Sequence, residues 1–275
     1  MIIIFQIALL LLSLLAIGNL FTTVLQDLFI FRPVRLKKNH SYDFKLPFTE
    51  HFLDTKNGGE INLLWFKSID QERPLVFYCH GNSSNLQSWG EVAERYNARG
   101  FDVIIYDYRG FGKSKGKRNQ KNFIEDARAV FAFAKKHYDE REIFIYGRSM
   151  GTSVATLLAS ENNPAVLILE TPYSSIPDLF QSYYPFMPSW LFSFKFTFPV
   201  KEWIKQVNCP IYIFQGTKDV VVPYRCAVKL KPLLKTEQNF ITLKGGKHND
   251  LKEYALFQEK TDEIFKLHYP QTDRP

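Results

Sequence analysis

The chain has 275 residues, of which 45% are hydrophobic and 23% charged, a composition typical of a globular protein with a buried core. Its three cysteines stand at wide spacings without a CxxC pair, so neither a disulfide framework nor a metal site is predicted. The net charge of +7 comes without an aromatic–basic RNA motif, a zinc finger or a helix-turn-helix pattern, so no nucleic-acid partner is expected.

The N-terminal segment has no charged side chain before residue 27, and most of residues 2–21 are Ile, Leu, Phe or Ala. A helix that rises about 1.5 Å per residue needs roughly 20 such residues to cross the hydrocarbon core of a bilayer. A cleaved signal peptide would have a basic start, a shorter apolar stretch and a small-residue cleavage site, which this segment lacks. Residues 1–26 are therefore predicted to be an uncleaved transmembrane anchor rather than a signal peptide or a buried core helix, and residues 27–43 a connector.

Basic residues follow the anchor directly: Arg32, Arg35, Lys37 and Lys38. Because no basic side chain precedes the anchor, the positive-inside rule places the C-terminal domain on the cytoplasmic side of the membrane. A second basic cluster at 113–121 is interpreted as a solvated loop, with attraction to anionic lipid as the alternative.

Beyond the connector, short apolar runs alternate with helix-like segments. Residues 44–68 are predicted to form a hairpin with its turn at 57–59. Further strands are predicted at 74–79, 102–106, 142–146, 165–169, 210–214 and 239–243, and helices at 86–98, 123–137, 152–160, 224–234 and 251–266. This alternation implies right-handed crossovers and a mostly parallel sheet with helices on both faces, so the predicted fold class is α/β over residues 44–270. Functional residues of such a sheet lie beyond the carboxyl ends of its strands.

The segment Gly147-Arg-Ser-Met-Gly151 follows the predicted strand at 142–146 and precedes a helix. In a G-x-S-x-G turn the serine adopts a strained backbone conformation that raises its hydroxyl into a cleft, and both glycines avoid clashes with neighbouring elements. The motif alone is common by chance, but its place between a buried strand and a helix favours Ser149 as a nucleophile over an ordinary Gly-Ser turn.

A serine nucleophile needs a base within hydrogen-bonding distance. In enzymes with this motif the acid and then the histidine follow the serine along the chain, which leaves His248 and His268 among six histidines. His248 lies in a glycine-rich loop after the last strand, whereas His268 ends the final helix. His248 is therefore the predicted base.

The acid must lie between the serine and the histidine, at the end of a strand. Asp219 comes just after the strand at 210–214 and is predicted to orient the imidazole and stabilise its charged form. Asp178 lies well beyond its strand, and Asp250 is placed where an aspartate commonly caps a helix.

An oxyanion hole is the fourth requirement of this chemistry. One donor is predicted to be the backbone N–H of Met150, at the start of the helix after the nucleophile. The second is predicted in the loop after the strand at 74–79, with Asn82 as the donor. His80 precedes the nucleophile in the chain and is interpreted as a brace for this loop.

With these residues assigned, the chain resembles the α/β-hydrolase superfamily over residues 44–270. The resemblance rests on six motifs in the family's order, at 78–85, 106–114, 147–151, 170–173, 216–219 and 246–250. The chain is also similar to a membrane-anchored group related to bud-emergence proteins and acyl-protein depalmitoylases, and to serine aminopeptidase and monoacylglycerol lipase-like domains. The resemblance implies Ser149, Asp219 and His248 as the catalytic triad and Met150 with Asn82 as oxyanion donors. No G-x-G-x-x-G is present, so no cofactor is expected.

Residues 172–209 are rich in aromatic side chains and are interpreted as a small cap over an acyl-binding pocket, or as rings that pack a short helix onto the sheet. The phenylalanines at 192, 194, 196 and 198 alternate, which would bury one face and leave the other on lipid or substrate. The predicted function is hydrolysis of carboxylic esters or thioesters with an apolar acyl chain through an acyl-enzyme on Ser149. A serine aminopeptidase-like peptidase and a non-catalytic binding protein of the same fold are the alternatives.

Overall fold

The computed structural model describes residues 1–67 and 73–269. Ser68, the predicted end of the hairpin, and residue 270, the predicted end of the domain, lie outside the described residues. The helices are α1 (Ile2–Leu20), α2 (Gln26–Ile30), α3 (Leu86–Trp89), α4 (Val92–Asn97), α5 (Gln120–Ala134), α6 (Gly151–Glu161), α7 (Ile176–Tyr183), α8 (Val200–Trp203), α9 (Tyr224–Ala227) and α10 (Ala255–His268). The strands are β1 (Arg32–Pro33), β2 (Thr49–Thr55), β3 (Gly59–Phe66), β4 (Leu75–Cys79), β5 (Ser83–Ser84), β6 (Asp102–Tyr106), β7 (Ile143–Arg148), β8 (Val166–Glu170), β9 (Ile211–Gly216) and β10 (Phe240–Leu243).

Eight of these strands form one sheet in the order β10-β9-β8-β7-β4-β6-β3-β2. Strand β3 runs antiparallel to β2 and β6, and the other neighbours in the sheet are parallel. The central strands β4, β6 and β8 are buried along their whole length, which explains their continuously apolar sequences. The predicted, mostly parallel sheet is confirmed.

Side chains of β4 point alternately into two apolar cores, one on each face of the sheet. Phe77 belongs to the core that packs beneath α5 and α6, whereas Tyr78 belongs to the core beneath α4 and α10. Helices therefore cover both faces, as the sequence predicts, and the carboxyl ends of the parallel strands are left for loops.

Three predicted helices are interrupted. The one expected at 251–266 begins as a separate 3₁₀ turn, Leu251–Glu253, before α10. The helix expected at 86–98 is divided into α3 and α4, because the backbone bond at Ala93 goes to Gly90, three residues back, at 3.0 Å. Gly90 lies against the ring of Phe44, where an added Cβ would be 2.7 Å from Cε1. The helix expected at 224–234 is α9 followed by a 3₁₀ segment, Val228–Leu233, because the pyrrolidine ring of Pro232 disfavours a continued α-helix.

The helices α1 and α2 are joined by a π-helical turn, Phe21–Leu25, into one helix over Ile2–Ile30. Within the described residues this is the one helix that is long and apolar enough to cross a membrane. No residue of α1 is buried, whereas Thr22 and Gln26 are. The helix continues past residue 26, the predicted end of the anchor, and its last turns pack against the domain.

The basic segment at 113–121 is not uniformly solvated. Lys113 is buried, with its Nζ 2.7 Å from Oε1 of Glu50 and 4.4 Å from the ring centre of Tyr42. Lys115 stays exposed and pairs with Glu60 at 2.8 Å. The interpretation as a solvated loop is therefore wrong for Lys113, because β2 supplies a carboxylate partner that the local sequence does not reveal.

Candidate active site

Ser149 stands in the sharp turn between β7 and α6, with a φ of 52°, in the left-handed region that few non-glycine residues adopt. The turn leaves no room for side chains at the flanking glycines. A Cβ on Gly147 would lie 2.6 Å from Cβ of Ala155, and one on Gly151 would lie 2.5 Å from the carbonyl carbon of Cys79. The packing of α6 on β7 and β4 thus explains both glycines of the motif.

Folding brings the side chains of Ser149, His248 and Asp219 into one line of hydrogen bonds. Nε2 of His248 lies 3.0 Å from Oγ of Ser149, and Nδ1 lies 2.8 Å from Oδ2 of Asp219. A neutral imidazole that donates its Nδ1 proton to the carboxylate leaves Nε2 free to accept the serine proton. The arrangement can therefore transfer a proton from the hydroxyl to the imidazole.

The carboxylate of Asp219 is buried and held by four donors. Oδ1 accepts the backbone N–H groups of Val221 and Val222, both at 2.8 Å. Oδ2 accepts Nε2 of Gln215 at 3.3 Å, in addition to His248. These hydrogen bonds fix the direction in which the carboxylate faces the imidazole.

The competing residues have other partners. The Asp178 carboxylate accepts hydrogen bonds from the Ser174 hydroxyl at 2.6 Å and from Lys229 at 3.1 Å. Partial burial raises the pKa of Asp178, but the hydrogen bonds from Ser174 and Lys229 outweigh it and hold that pKa below its usual range. His268 contacts a tyrosine hydroxyl at 3.0 Å, and Asp250 accepts a backbone N–H of its own loop at 2.7 Å.

The two residues predicted as oxyanion donors lie beside Ser149. The side-chain amide of Asn82 is turned towards the carbonyl of Ile30, to which it donates at 2.6 Å. Among the hydrogen bonds of the described residues, none uses the backbone N–H of Asn82 or of Met150. Both residues line the cavity above Ser149, and Met150 precedes α6, whose N-terminus favours negative charge.

His80 lies behind this loop. Its ring is fully buried, with Nδ1 2.7 Å from the carbonyl oxygen of Gly81 and Nε2 3.4 Å from Oδ1 of Asp107. The hydroxyl of Tyr108 donates to the backbone carbonyl of His80 at 2.8 Å. Burial raises the pKa of Asp107, and contact with His80 offsets part of this shift. The contacts are those of a brace for the loop, and among the hydrogen bonds of the described residues none joins His80 to Ser149.

Arg148 is a site residue that the sequence does not single out, since it occupies a variable position of the G-x-S-x-G turn. Its Nε donates to Oε1 of Glu170 at 3.0 Å, and its Nη2 donates to Oδ1 of Asn249 at 2.8 Å and to the carbonyl of His248 at 3.3 Å. The guanidinium also stacks over Trp89, 5.1 Å from its ring centre. Arg148 therefore ties the histidine loop to the strands beneath it.

A cavity of about 600 Å³ opens over Ser149. Its wall includes residues of the N-terminal helix, which the sequence does not connect with the site. The polar residues Thr22 and Gln26, near the end of a largely apolar helix, are the signal that could have indicated this packing. None of the described residues that line the cavity is acidic, and two are arginines, Arg32 and Arg148.

The aromatic residues of 172–209 fall into three groups. The first lines the cavity: Tyr173, Phe180, Tyr183, Tyr184 and Phe194. The second is buried in the core: Phe196 and Phe198. The third is exposed at the surface: Phe186 and Trp190. The expected alternation between two faces is wrong because residues 192–198 do not form a strand. The rings at 192 and 194 pack against Phe180, whereas those at 196 and 198 are buried in the core.

The chain is similar in sequence to several known proteins. The sequence model of the family "Serine aminopeptidase, S33" matches residues 70–202. The lysophosphatidylserine lipase ABHD12 of Gallus gallus is 30% identical over 205 residues, which cover 67% of this chain and 54% of that protein. An uncharacterised protein of Mycobacterium tuberculosis is 28% identical over 179 residues, which cover 64% of this chain and 63% of that protein. The chain thus spans less than two thirds of the length of these relatives.

Solved structures share the fold. The Pyrococcus furiosus esterase Pf2001 matches with a TM-score of 0.65 at 19% identity, covering 86% of this chain and 97% of that one. The acetyl xylan esterase 1 from Thermoanaerobacterium sp. matches with a TM-score of 0.63 at 16% identity, covering 84% and 87%. At these identities the likeness establishes the architecture.

The sheet order, the turn at Ser149 and these likenesses define the architecture: the chain has the fold of the α/β-hydrolase superfamily, as the sequence predicts. Within that superfamily it is similar to the serine aminopeptidase S33 family and to the lysophosphatidylserine lipases named ABHD12.

Proposed function

We propose that the chain is a membrane-anchored serine hydrolase that cleaves carboxylic esters or thioesters with an apolar acyl group, through an acyl-enzyme on Ser149. The observation that carries the proposal is the line from Asp219 to His248 to Ser149, with distances of 2.8 and 3.0 Å, at a cavity walled largely by apolar side chains. The names of the lipase and esterase relatives support an ester as the substrate, and a lysophospholipid is one candidate within that class.

In the acylation step, Oγ of Ser149 attacks the carbonyl carbon while Nε2 of His248 takes the hydroxyl proton. The carbonyl oxygen becomes an oxyanion that accepts hydrogen bonds from the backbone N–H groups of Met150 and Asn82. As the tetrahedral intermediate collapses, the bond to the alcohol or thiol breaks. The leaving group takes the proton from His248, and the acyl group stays on Ser149.

Deacylation repeats these steps with water as the nucleophile. His248 removes a proton from the water molecule, the hydroxide attacks the acyl carbon, and the carboxylic acid leaves as Ser149 regains its proton. Asp219 stays ionised throughout, holding the imidazole in the required tautomer and stabilising its protonated form.

The charges around the cavity argue against a peptidase that recognises a free amine. Such a substrate needs an acidic side chain near the nucleophile, and the described lining residues include none. The two acidic residues of the cap are already paired. Asp178 pairs with Lys229 at 3.1 Å, and Glu202 pairs with Lys205 at 2.6 Å. Neutral or anionic acyl esters suit this cavity better.

Membrane anchoring is supported by the helix Ile2–Ile30, in which no residue of α1 is buried against the domain. We assign the catalytic domain to the cytoplasmic side because the exposed basic residues follow the helix. Protease protection on sealed vesicles tests this assignment, and digestion of the domain from the non-cytoplasmic side would overturn it.

The full chain in detergent provides the test of the enzyme itself. A fluorophosphonate probe is expected to label the wild type and not Ser149→Ala. Ser88→Ala, which changes an exposed serine of α3, is the matched control and should be labelled like the wild type. Absence of wild-type labelling, or equal labelling of Ser149→Ala, would overturn the proposal. Turnover of aminoacyl anilides without turnover of p-nitrophenyl esters would favour the peptidase.

A further inference from the structure

The N-terminal helix does more than lead up to the domain, because its last turns are built into the wall of the cavity. Five residues of 21–30 face the cavity: Phe21, Thr22, Gln26, Phe29 and Ile30. The π-helical turn helps to produce this face, since its i→i+5 pattern places Phe21 and Gln26 on the same side. Leu28 lies in the same stretch but is 70% exposed and does not face the cavity.

Specific hydrogen bonds hold this part of the helix in place. The buried side chain of Gln26 pairs with the backbone of Phe196, accepting from its N–H at 2.9 Å and donating to its carbonyl at 3.2 Å. Asp27 forms an ion pair with Lys195. Because the carbonyl of Ile30 accepts the side chain of Asn82, the helix end also fixes the loop that bears the proposed oxyanion donor.

The length of the free part of the helix determines how deep the domain must sit in a membrane. Residues 2–17 number sixteen and extend about 24 Å, which is short of the roughly 30 Å of hydrocarbon by about four residues. The next residues already touch the cap: Gly18 lies against the ring of Phe192, and Asn19 donates to the carbonyl of Leu191 at 3.2 Å. A helix that crosses the bilayer therefore draws this edge of the cap into the membrane.

The same edge of the cap carries exposed apolar side chains. Phe186 is 96% exposed and Trp190 is 81% exposed, with Tyr184, Met187 and Leu191 beside them in the sequence, each at least partly exposed. Aromatic residues of this kind are enriched at the boundary between hydrocarbon and headgroups. Exposed basic residues, from Arg32 to Lys38, follow the helix and match anionic headgroups at that boundary.

On the basis of the proposed function, we propose that residues 21–30 form a substrate-binding wall and that the cavity takes its acyl chain directly from the bilayer, between the N-terminal helix and the cap edge at 186–192. The substrate is then a lipid ester that resides in the membrane, and its chain slides along Phe21, Phe29 and Ile30 until the ester carbonyl reaches Ser149. The helix thus acts as anchor and as specificity element.

The first test uses the full chain in phosphatidylcholine vesicles. Ile30→Trp adds bulk to the wall, and Leu28→Trp adds the same bulk on the exposed side of the helix. The ratio of kcat/KM for a vesicle-borne long-chain ester to that for soluble p-nitrophenyl acetate should fall by about tenfold or more in Ile30→Trp, the effect of a misfit in an apolar pocket. In Leu28→Trp that ratio should equal the wild-type value. An unchanged ratio in Ile30→Trp, or equal changes in both variants, would overturn the inference.

The second test asks whether the cap edge reaches hydrocarbon. Vesicles with brominated acyl chains should quench part of the tryptophan emission of the wild type, and Trp190→Phe should lose that quenching. Equal quenching in both proteins would show that the edge stays outside the bilayer and would contradict entry from the membrane. Fluorophosphonate labelling of Ser149 separates the outcomes. If the protein is labelled but the kcat/KM ratio of Ile30→Trp is unchanged, only the substrate-binding wall is refuted. If the wild type is not labelled, the hydrolase chemistry itself is refuted.

Discussion

Replacing Gly216 by alanine is expected to separate the two loops that carry Asp219 and His248. Gly216 ends β9 against the histidine loop, where an added Cβ would lie 2.5 Å from the carbonyl carbon of Gly246. Carbon atoms in contact stand about 3.5–4.0 Å apart, so the loops must move apart by roughly 1 Å. The same movement strains the 2.9 Å hydrogen bond from Lys218 N–H to the Gly246 carbonyl.

A misplacement of about 1 Å can lower a rate by about 100-fold, so kcat/KM of Gly216→Ala for p-nitrophenyl esters should fall by that order. Overpacking should also lower the free energy of unfolding by about 1–3 kcal/mol. Gly58→Ala is the control: its Cβ meets no atom within 4 Å, and its φ of +68° makes an alanine strained by about 1–2 kcal/mol. The two variants should therefore be similarly destabilised, but only Gly216→Ala should lose activity. Wild-type turnover in Gly216→Ala, with the melting temperature lowered as in Gly58→Ala, would refute the reasoning.

Three further predictions concern charged residues. Asp219→Asn should lower kcat about 10⁴-fold in ester hydrolysis, because the amide favours the wrong imidazole tautomer, and a residual rate near wild type would exclude Asp219 as the acid. Asp178→Asn should keep full activity and lose less than about 1 kcal/mol of stability at neutral pH. Because the hydrogen bonds of Asp178 outweigh its partial burial and lower its pKa, that stability is present above the unfolded-state pKa and is lost as the pH falls through the lowered folded-state pKa. The melting temperature of Asp178→Asn should therefore approach that of the wild type as the pH is lowered from 6. A difference between the two melting temperatures that widens in acid would contradict the predicted direction. Arg109→Met should lower the free energy of unfolding by about 3–5 kcal/mol in denaturant unfolding. The buried guanidinium lies 2.6 Å from Asp126, and its loss leaves that carboxylate without its ion-pair partner. An unchanged free energy of unfolding would show that water reaches Asp126.

The sheet and the residues around Ser149 could be predicted because their signals are local. Continuous apolar runs such as the one at 102–106 mark strands buried on both faces, and the structure places β6 at the same residues. Each proposed triad residue lies within five residues after the end of a strand, and parallel strands present their carboxyl ends at one edge of the sheet. The order of the residues along the chain therefore predicts His248 and Asp219 over their competitors, and the structure brings both side chains into one line with Ser149.

The remaining features depend on contacts between distant parts of the chain. The pairing of Gln26 with Phe196 joins residues 170 positions apart. The sequence of either segment alone therefore hardly indicates that the helix packs on the cap. Burial of Lys113 likewise depends on Glu50, 63 positions earlier. An apolar N-terminal stretch predicts a membrane helix from its length, but only folding shows that the last turns of that helix belong to the cavity.

Covalent acylation of Ser149 is the most direct consequence of the proposed chemistry. The full chain can be mixed with a long-chain p-nitrophenyl ester, quenched in acid during turnover and digested for peptide mass spectrometry. The account predicts that the acyl mass appears on the peptide that contains Ser149, together with a burst of p-nitrophenol stoichiometric with the enzyme. Continued hydrolysis with Ser149 unmodified, or an undiminished rate in Ser149→Ala, would contradict it.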